Sequence, residues 1–261
     1  MNRHPHCDSH LTPSDPLPQV HTRGNRRLLE FRPGMVQSEM KLSHPDDLVL
    51  AYCRAMMCFT LFQPRPAHIV MVGLGGGSLV KFCYRYLPQA RITVLEVRAD
   101  VIALRRQFAI PPDDARLTIV HADAAAYLPR LRASADVLLV DGFDEQGLPA
   151  ALSSAAFYAD CRRALRPGGV MVANIFSYDP SYGLTLRRLR HAFGGKLCTL
   201  RGVAGNNRIW FAVHGPPPSP ALAMQRRLAG RIALPGLNRL WAHWIVWRLQ
   251  HRQFDSGGGS A

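Results

Sequence analysis

Gly73, Gly75, Gly76 and Gly77 stand between the apolar run HIVMV, residues 68–72, and the helix-like SLVKFCYRYL, residues 78–87. Glycine permits positive φ and lets a backbone approach a ligand with no Cβ in the way, so this cluster suits a nucleotide-binding loop. The dinucleotide pattern G-x-G-x-x-G would put glycine at 78, where this chain has Ser78, which argues against a nicotinamide dinucleotide. Glu96 closes RITVLE; an acid at the tip of the second strand of a doubly wound sheet accepts hydrogen bonds from ribose hydroxyls, the plainer alternative being a solvent-facing strand end. Asp123, in IVHADAAAYL, is placed to accept from an exocyclic adenine amine or, alternatively, to cap the helix that follows. Asp141 ends LLVD, and Asp144 follows it in a loop carrying Gly142 and Gly147. Two carboxylates beyond a strand end suit the binding or deprotonation of an ammonium group, whose nitrogen attacks only after losing its proton. For Asp144 a solvated turn residue is nearly as good a reading.

These residues need a scaffold, and the chain reads as one. Strand-like HIVMV, RITVLEV, RLTIVHAD, ADVLLVDGF and GGVMVANIF alternate with helix-like SLVKFCYRYL, ADVIALRRQFA, AAAYLPRL, SSAAFYADCRRAL and GLTLRRLRHAF. Short apolar strands alternating with helices imply a mostly parallel sheet covered on both faces. The alternation then breaks: KLCTLRGV and NRIWFAVHG are joined only by AGNN, a hairpin turn. A parallel sheet that ends in an antiparallel hairpin is the arrangement of class I S-adenosylmethionine-dependent enzymes, so the expected fold is a methyltransferase-like, Rossmann-like doubly wound α/β sheet. Upstream, RRLLEFRPGMVQSEMK predicts a β-hairpin turned at Arg32–Gly34, and HPDDLVLAYCRAMMCFTLF a helix capped by Ser43 or Asp46, with Tyr52, Met56 and Phe59 on one face. The expected organisation is a disordered tail over 1–22, a β-segment over 23–45, the Rossmann-like domain over 46–215, a helical extension over 216–254 broken near Pro235, and a flexible tail over 255–261. Trp241, Trp244 and Trp247 recur at spacing three and predict a helix packed on its own domain or on a dimer mate.

The 261 residues suffice for one such domain with appendages. No apolar run approaches the roughly 18–20 residues a bilayer span requires, and no secretory h-region is visible at the N-terminus, so a cytoplasmic protein is expected. The six scattered cysteines read as reduced core thiols. His4, His6, Cys7 and His10 are metal-ligand types, but their proline-rich setting reads as tail, and no metal is expected. The net charge of +14 is dispersed among amphipathic segments without a basic stripe or aromatic interleaving, so nucleic-acid binding is set aside as the main function.

Taken together, VGLGGGS, VLEV, HADAAAYL, LLVDGFDEQGLPA and RALRPGGVMVAN, in order and spacing, resemble the spermidine synthase (polyamine aminopropyltransferase) family over roughly residues 28–214. The resemblance implies a transferase that moves an aminopropyl group from decarboxylated S-adenosylmethionine to an amine such as putrescine, releasing methylthioadenosine, and working as a homodimer. It implies that Glu96 holds the ribose and Asp123 the adenine, that Asp141 accepts the proton, that Asp144 helps hold the amine, and that Gln37 and Tyr52 line the substrate pocket. The chain departs from the family pattern in four places, one being that the tyrosine- and proline-bearing segment that closes over the amine has no clear counterpart before NRIWFAV. Ser78 replaces the aspartate of G-G-G-D-G-G that binds the donor's amino group; DGFDE replaces D-S-S-D-P; Cys53 replaces a glutamine after the pocket tyrosine. Two other readings follow: a methyltransferase using intact S-adenosylmethionine, whose carboxylate Ser78 and the helix N-terminus would accept, and a non-catalytic nucleotide-binding or interaction protein.

Overall fold

The computed structural model describes residues 16–143, 147–215 and 235–251. Asp144, the His4–His10 group, residues 216–234 and the 255–261 tail lie outside the described residues.

The N-terminal segment is a three-stranded antiparallel meander: β1 (Gln19–Arg23), β2 (Arg26–Glu30) and β3 (Val36–Lys41). The expected turn at Arg32–Gly34 joins β2 to β3, with the Met35 amide donating to the Arg32 carbonyl at 3.0 Å. The expected tail boundary at residue 22 is corrected: QVHTR pairs in register with β2, Val20 opposite Leu29. Neither Ser43 nor Asp46 caps a helix. Ser43 Oγ accepts from Asn25 at 2.7 Å, and α1 (Ala51–Met56) begins after Leu50 without a side-chain cap. A 3-10 turn over Met57–Leu61 continues it, burying Met56 and Phe59.

The second sheet holds seven strands: β4 (His68–Val72), β5 (Arg91–Glu96), β6 (Leu117–His121), β7 (Ala135–Val140), β8 (Leu165–Phe176), β9 (Leu197–Ala204) and β10 (Asn207–Val213). Their spatial order is β6-β5-β4-β7-β8-β10-β9. The first five are parallel; β10 and β9 return as the antiparallel hairpin, turned at Gly205 with φ of 57°. The connecting helices are α2 (Ser78–Tyr86), α3 (Ala99–Ala103), α4 (Ala124–Tyr127), α5 (Ala155–Ala164) and α6 (Tyr182–Ala192). The expected doubly wound fold is the one observed; AAAYLPRL forms the short helix expected, α4 continued by a 3-10 turn over Leu128–Arg130, whereas α3 is a single short turn rather than the longer helix ADVIALRRQFA suggests.

Strand alternation divides the core in two. Ile69, Met71, Ile92, Val94, Val137, Leu139, Val170 and Val172 pack on one face, under α1, α2 and the meander. Val70, Val72, Leu95, Leu138, Val140, Met171 and Ala173 pack on the other, under α5 and α6. A last helix, α7 (Pro235–His251), lies against β9, α1 and the turn after it. It packs through Ala242, Ile245, Val246 and Leu249 at spacings of three and four. The helix packs on its own domain, one of the two expected arrangements, with Trp241 half-buried and Trp244 and Trp247 exposed. Among the described residues no helix is long and apolar enough to cross a membrane. The described cysteines, Cys53, Cys58, Cys83, Cys161 and Cys198, are unpaired and buried.

Candidate active site

The same alternation that sorts the core sets the site. Ile92 and Val94 face α1 and the meander, and Glu96 continues their parity; Asp141 continues Val137 and Leu139; Asn174 continues Val170 and Val172. As the apolar positions run out at the carboxyl ends of β5, β7 and β8, polar residues take their place on one face of the sheet. There a cavity of about 780 Å³ opens, lined by Gly73, Gly75, Ser78, Glu96, Asp123 and Asp141 from the sheet side. Gln37 and Tyr52 line it from the meander and α1. The size is that of a small-molecule site.

The glycine loop is held against the end of β7. The Gly73 amide donates to the Leu95 carbonyl and the Asp141 amide to the Val72 carbonyl, at 2.9 and 3.0 Å. Gly73 has φ of 93°, and a Cβ there would lie 2.5 Å from the Asp141 carbonyl oxygen, so no other residue fits without moving Asp141 itself. Gly77, in the left-handed region, is the N-cap of α2, which places Ser78 in its first turn, buried and facing the cavity. The loop is buttressed from behind. The Phe108 ring sits against Gly76, and the buried Lys81 ammonium donates to the Phe108 carbonyl at 2.7 Å. Burial lowers the Lys81 pKa to about 8, with no carboxylate close enough to hold it up fully.

Glu96 is 7% exposed. Its two oxygens accept from the Leu74 amide at 2.8 Å and the Arg98 amide at 2.9 Å. Burial raises its pKa and these backbone donors oppose the rise. Each oxygen keeps a further lone pair for a hydroxyl donor. Asp123 does cap α4, Oδ1 accepting from the Ala125 amide at 2.8 Å, and also lines the cavity; the two readings of this residue are compatible.

Asp141 is reached by two side chains. Asn174 Nδ2 donates to Oδ1 at 3.0 Å, and the Tyr52 hydroxyl donates from α1. Asp141 is half-buried and lines the cavity, and burial raises its pKa against these two hydrogen bonds. The Tyr52 hydroxyl is pushed well above its ordinary value, by burial first and then by the Asp141 charge, so it stays a donor. The arrangement is a carboxylate more basic than usual, fixed in orientation, at the wall of a cavity.

The sequence reading missed Asn174. It is 2% exposed and lines the cavity, and its Oδ1 is buried with no hydrogen-bond partner among the described residues. The signal was there: Asn174 is the one polar side chain within the otherwise apolar VMVANIF. Also missed were Phe143, Phe176 and Tyr178, aromatic residues that line the same cavity and that no spacing rule marks.

Residues 50–181, half of the chain, match the spermine/spermidine synthase domain. The polyamine aminopropyltransferase of Chromobacterium violaceum is 39% identical over 83% of this chain and 82% of its own length. That of Neisseria meningitidis serogroup A is 36% identical over 89% of this chain and 90% of its own. Among solved structures, a probable spermidine synthase from Corynebacterium glutamicum shares the fold with a TM-score of 0.66 at 22% identity, covering 86% of this chain and 90% of its own. With the glycine loop and the strand-end carboxylates in place, these matches decide the family: the chain belongs to the spermidine synthases.

Proposed function

We propose that the protein transfers an aminopropyl group from decarboxylated S-adenosylmethionine to a small amine, putrescine or a related polyamine, with release of methylthioadenosine. The observation that carries the reading is Asp141, a half-buried, basic carboxylate oriented by Tyr52 and Asn174 in the cavity that the glycine loop also lines. The shared name of the two bacterial relatives supports the same reaction.

The roles follow from position. Glu96 accepts from the ribose hydroxyls and Asp123, through the oxygen its cap leaves free, from the adenine amine. The backbone of Gly73–Gly77 lets the adenosyl group lie close to the sheet. The donor's sulfonium makes its adjacent methylene electrophilic. Asp141 removes a proton from the acceptor ammonium; the freed nitrogen lone pair attacks that methylene, the C–S bond breaks, and its electron pair returns to sulfur as a neutral thioether. Asn174, donating through Nδ2, fixes the Asp141 carboxylate and so aims it at the acceptor nitrogen. Asp144 is assigned to the other end of the amine on the family pattern alone. A cytoplasmic homodimer completes the proposal, supported by the unpaired cysteines and by exposed Leu240, Trp244 and Trp247 on α7.

Ser78 favours one second reading, a methyltransferase with intact S-adenosylmethionine, because its side chain faces the cavity at the N-terminus of α2, where a donor carboxylate would be welcome. Calorimetry with both donors separates the two. Tighter binding of the decarboxylated donor is expected; preference for the carboxylated one would shift the assignment to methyl transfer.

A further inference from the structure

Phe143 follows Asp141 by two residues, Phe176 follows Asn174 by two, and Tyr178 lies two further on. The three rings form a continuous stack. Phe143 and Phe176 have centroids 4.2 Å apart at 31°, and Phe176 and Tyr178 have centroids 5.2 Å apart at 9°. All three line the cavity that holds Asp141 and Asn174, and Tyr178, at its outer end, is 62% exposed. Aromatic surface of this extent is ordinarily buried in a core; here it is spent on a cavity wall.

Strand geometry gives the wall its direction. Residues two apart on β8 point to the same face and lie ~7 Å apart along it. A nitrogen held at Asp141, beside Asn174, therefore has its carbon chain running onto the Phe176 ring within about four methylenes, and beyond it toward Tyr178. Methylenes gain dispersion and lose water along the edges of the stacked rings, and a distal ammonium over the outer face of exposed Tyr178 gains a cation–π contact.

We propose that Phe143, Phe176 and Tyr178 are the acceptor-specificity wall, which takes the non-reacting carbon chain of the amine and favours putrescine and longer alkyl or arylalkyl amines over shorter diamines such as 1,3-diaminopropane. The inference deepens the aminopropyl-transfer reading and rests on it for the position of the reacting nitrogen. The specificity comes from ring area, so it grows with each methylene until the stack is covered.

The test is a chain-length series: 1,3-diaminopropane, putrescine, cadaverine, 1,8-diaminooctane and phenethylamine, each measured both for turnover and, by calorimetry, for binding to the full-length protein. Wild-type kcat/KM and affinity should rise about three- to fourfold per added methylene between three and five carbons, the increment expected of a buried methylene. Tyr178→Ala should flatten the rise beyond four carbons, and Phe176→Leu the earlier part, with the affinity for decarboxylated S-adenosylmethionine unchanged. Tyr178 is exposed enough that its truncation leaves the core intact, so the series stays interpretable if Phe176→Leu fails to fold. A wild-type profile indifferent to chain length, or one that Tyr178→Ala leaves unaltered, overturns the wall. Amine binding that follows the series without aminopropyl transfer would uphold the wall and count only against the reaction.

Discussion

Asp141→Asn should lower kcat by about 10²–10⁴-fold, the range a positioned general base supplies, while leaving the donor's dissociation constant nearly unchanged. The substitution keeps the shape and the hydrogen bond: an asparagine oxygen still accepts from Asn174 Nδ2, as Asp141 Oδ1 does at 3.0 Å. What it removes is basicity. Because burial raises the Asp141 pKa, the wild-type rate should fall, as pH drops, at a pH above that at which an ordinary aspartate near 3.9 protonates. That acid limb disappears in the variant. The stability effect has the opposite sign. A carboxyl whose folded pKa lies above its unfolded value holds its proton more tightly when folded, so stability falls as pH rises from the unfolded to the folded pKa. At neutral pH the ionised side chain costs stability, and Asp141→Asn should therefore raise the melting temperature as it slows turnover. A variant with wild-type kcat would remove Asp141 from the role of base.

Glu96→Gln should act on binding instead. A carboxylate accepts from two backbone amides at once, Leu74 and Arg98, and still has lone pairs for ribose hydroxyls. Glutamine offers one acceptor oxygen, and its amide N–H₂ must point at one of those donors. The nucleotide loses a charge-assisted hydrogen bond of about 1.5–3 kcal/mol, or roughly 10- to 100-fold in affinity. Titration calorimetry with decarboxylated S-adenosylmethionine reads this directly, with kcat at saturating donor close to wild type. An unaltered dissociation constant would count against the ribose assignment. The two variants thus separate binding from chemistry on the two strands, β5 and β7, that flank β4.

Much of this site was legible because each of its carboxylates ends an apolar strand. Glu96, Asp123 and Asp141 could be found from RITVLE, IVHAD and LLVD without knowing which strands pair. Asn174 and Phe176 could not, since their facing the cavity depends on β8 lying between β7 and β10. The chain alone gives only a polar residue in an apolar run. Local capping signals misled for a related reason: Ser43 Oγ is taken up by Asn25, and the helix begins only at Ala51. β1 was taken for tail because QVHTR is polar, and only its pairing with β2 makes it a strand. On α7 the eye goes to the tryptophans, yet smaller residues one position along fit the groove beside β9. Tertiary pairing settles each of these, and sequence pattern does not carry it.

The central claim is that Asp141 and the adenosyl site together perform aminopropyl transfer. Mass spectrometry of the wild-type protein incubated with decarboxylated S-adenosylmethionine and the diamine series tests it most directly. The account predicts methylthioadenosine and an acceptor heavier by one aminopropyl unit, in equal amounts, with both formed about 10²–10⁴-fold more slowly by Asp141→Asn. A methylated acceptor formed from intact S-adenosylmethionine, with no methylthioadenosine from the decarboxylated donor, would contradict it.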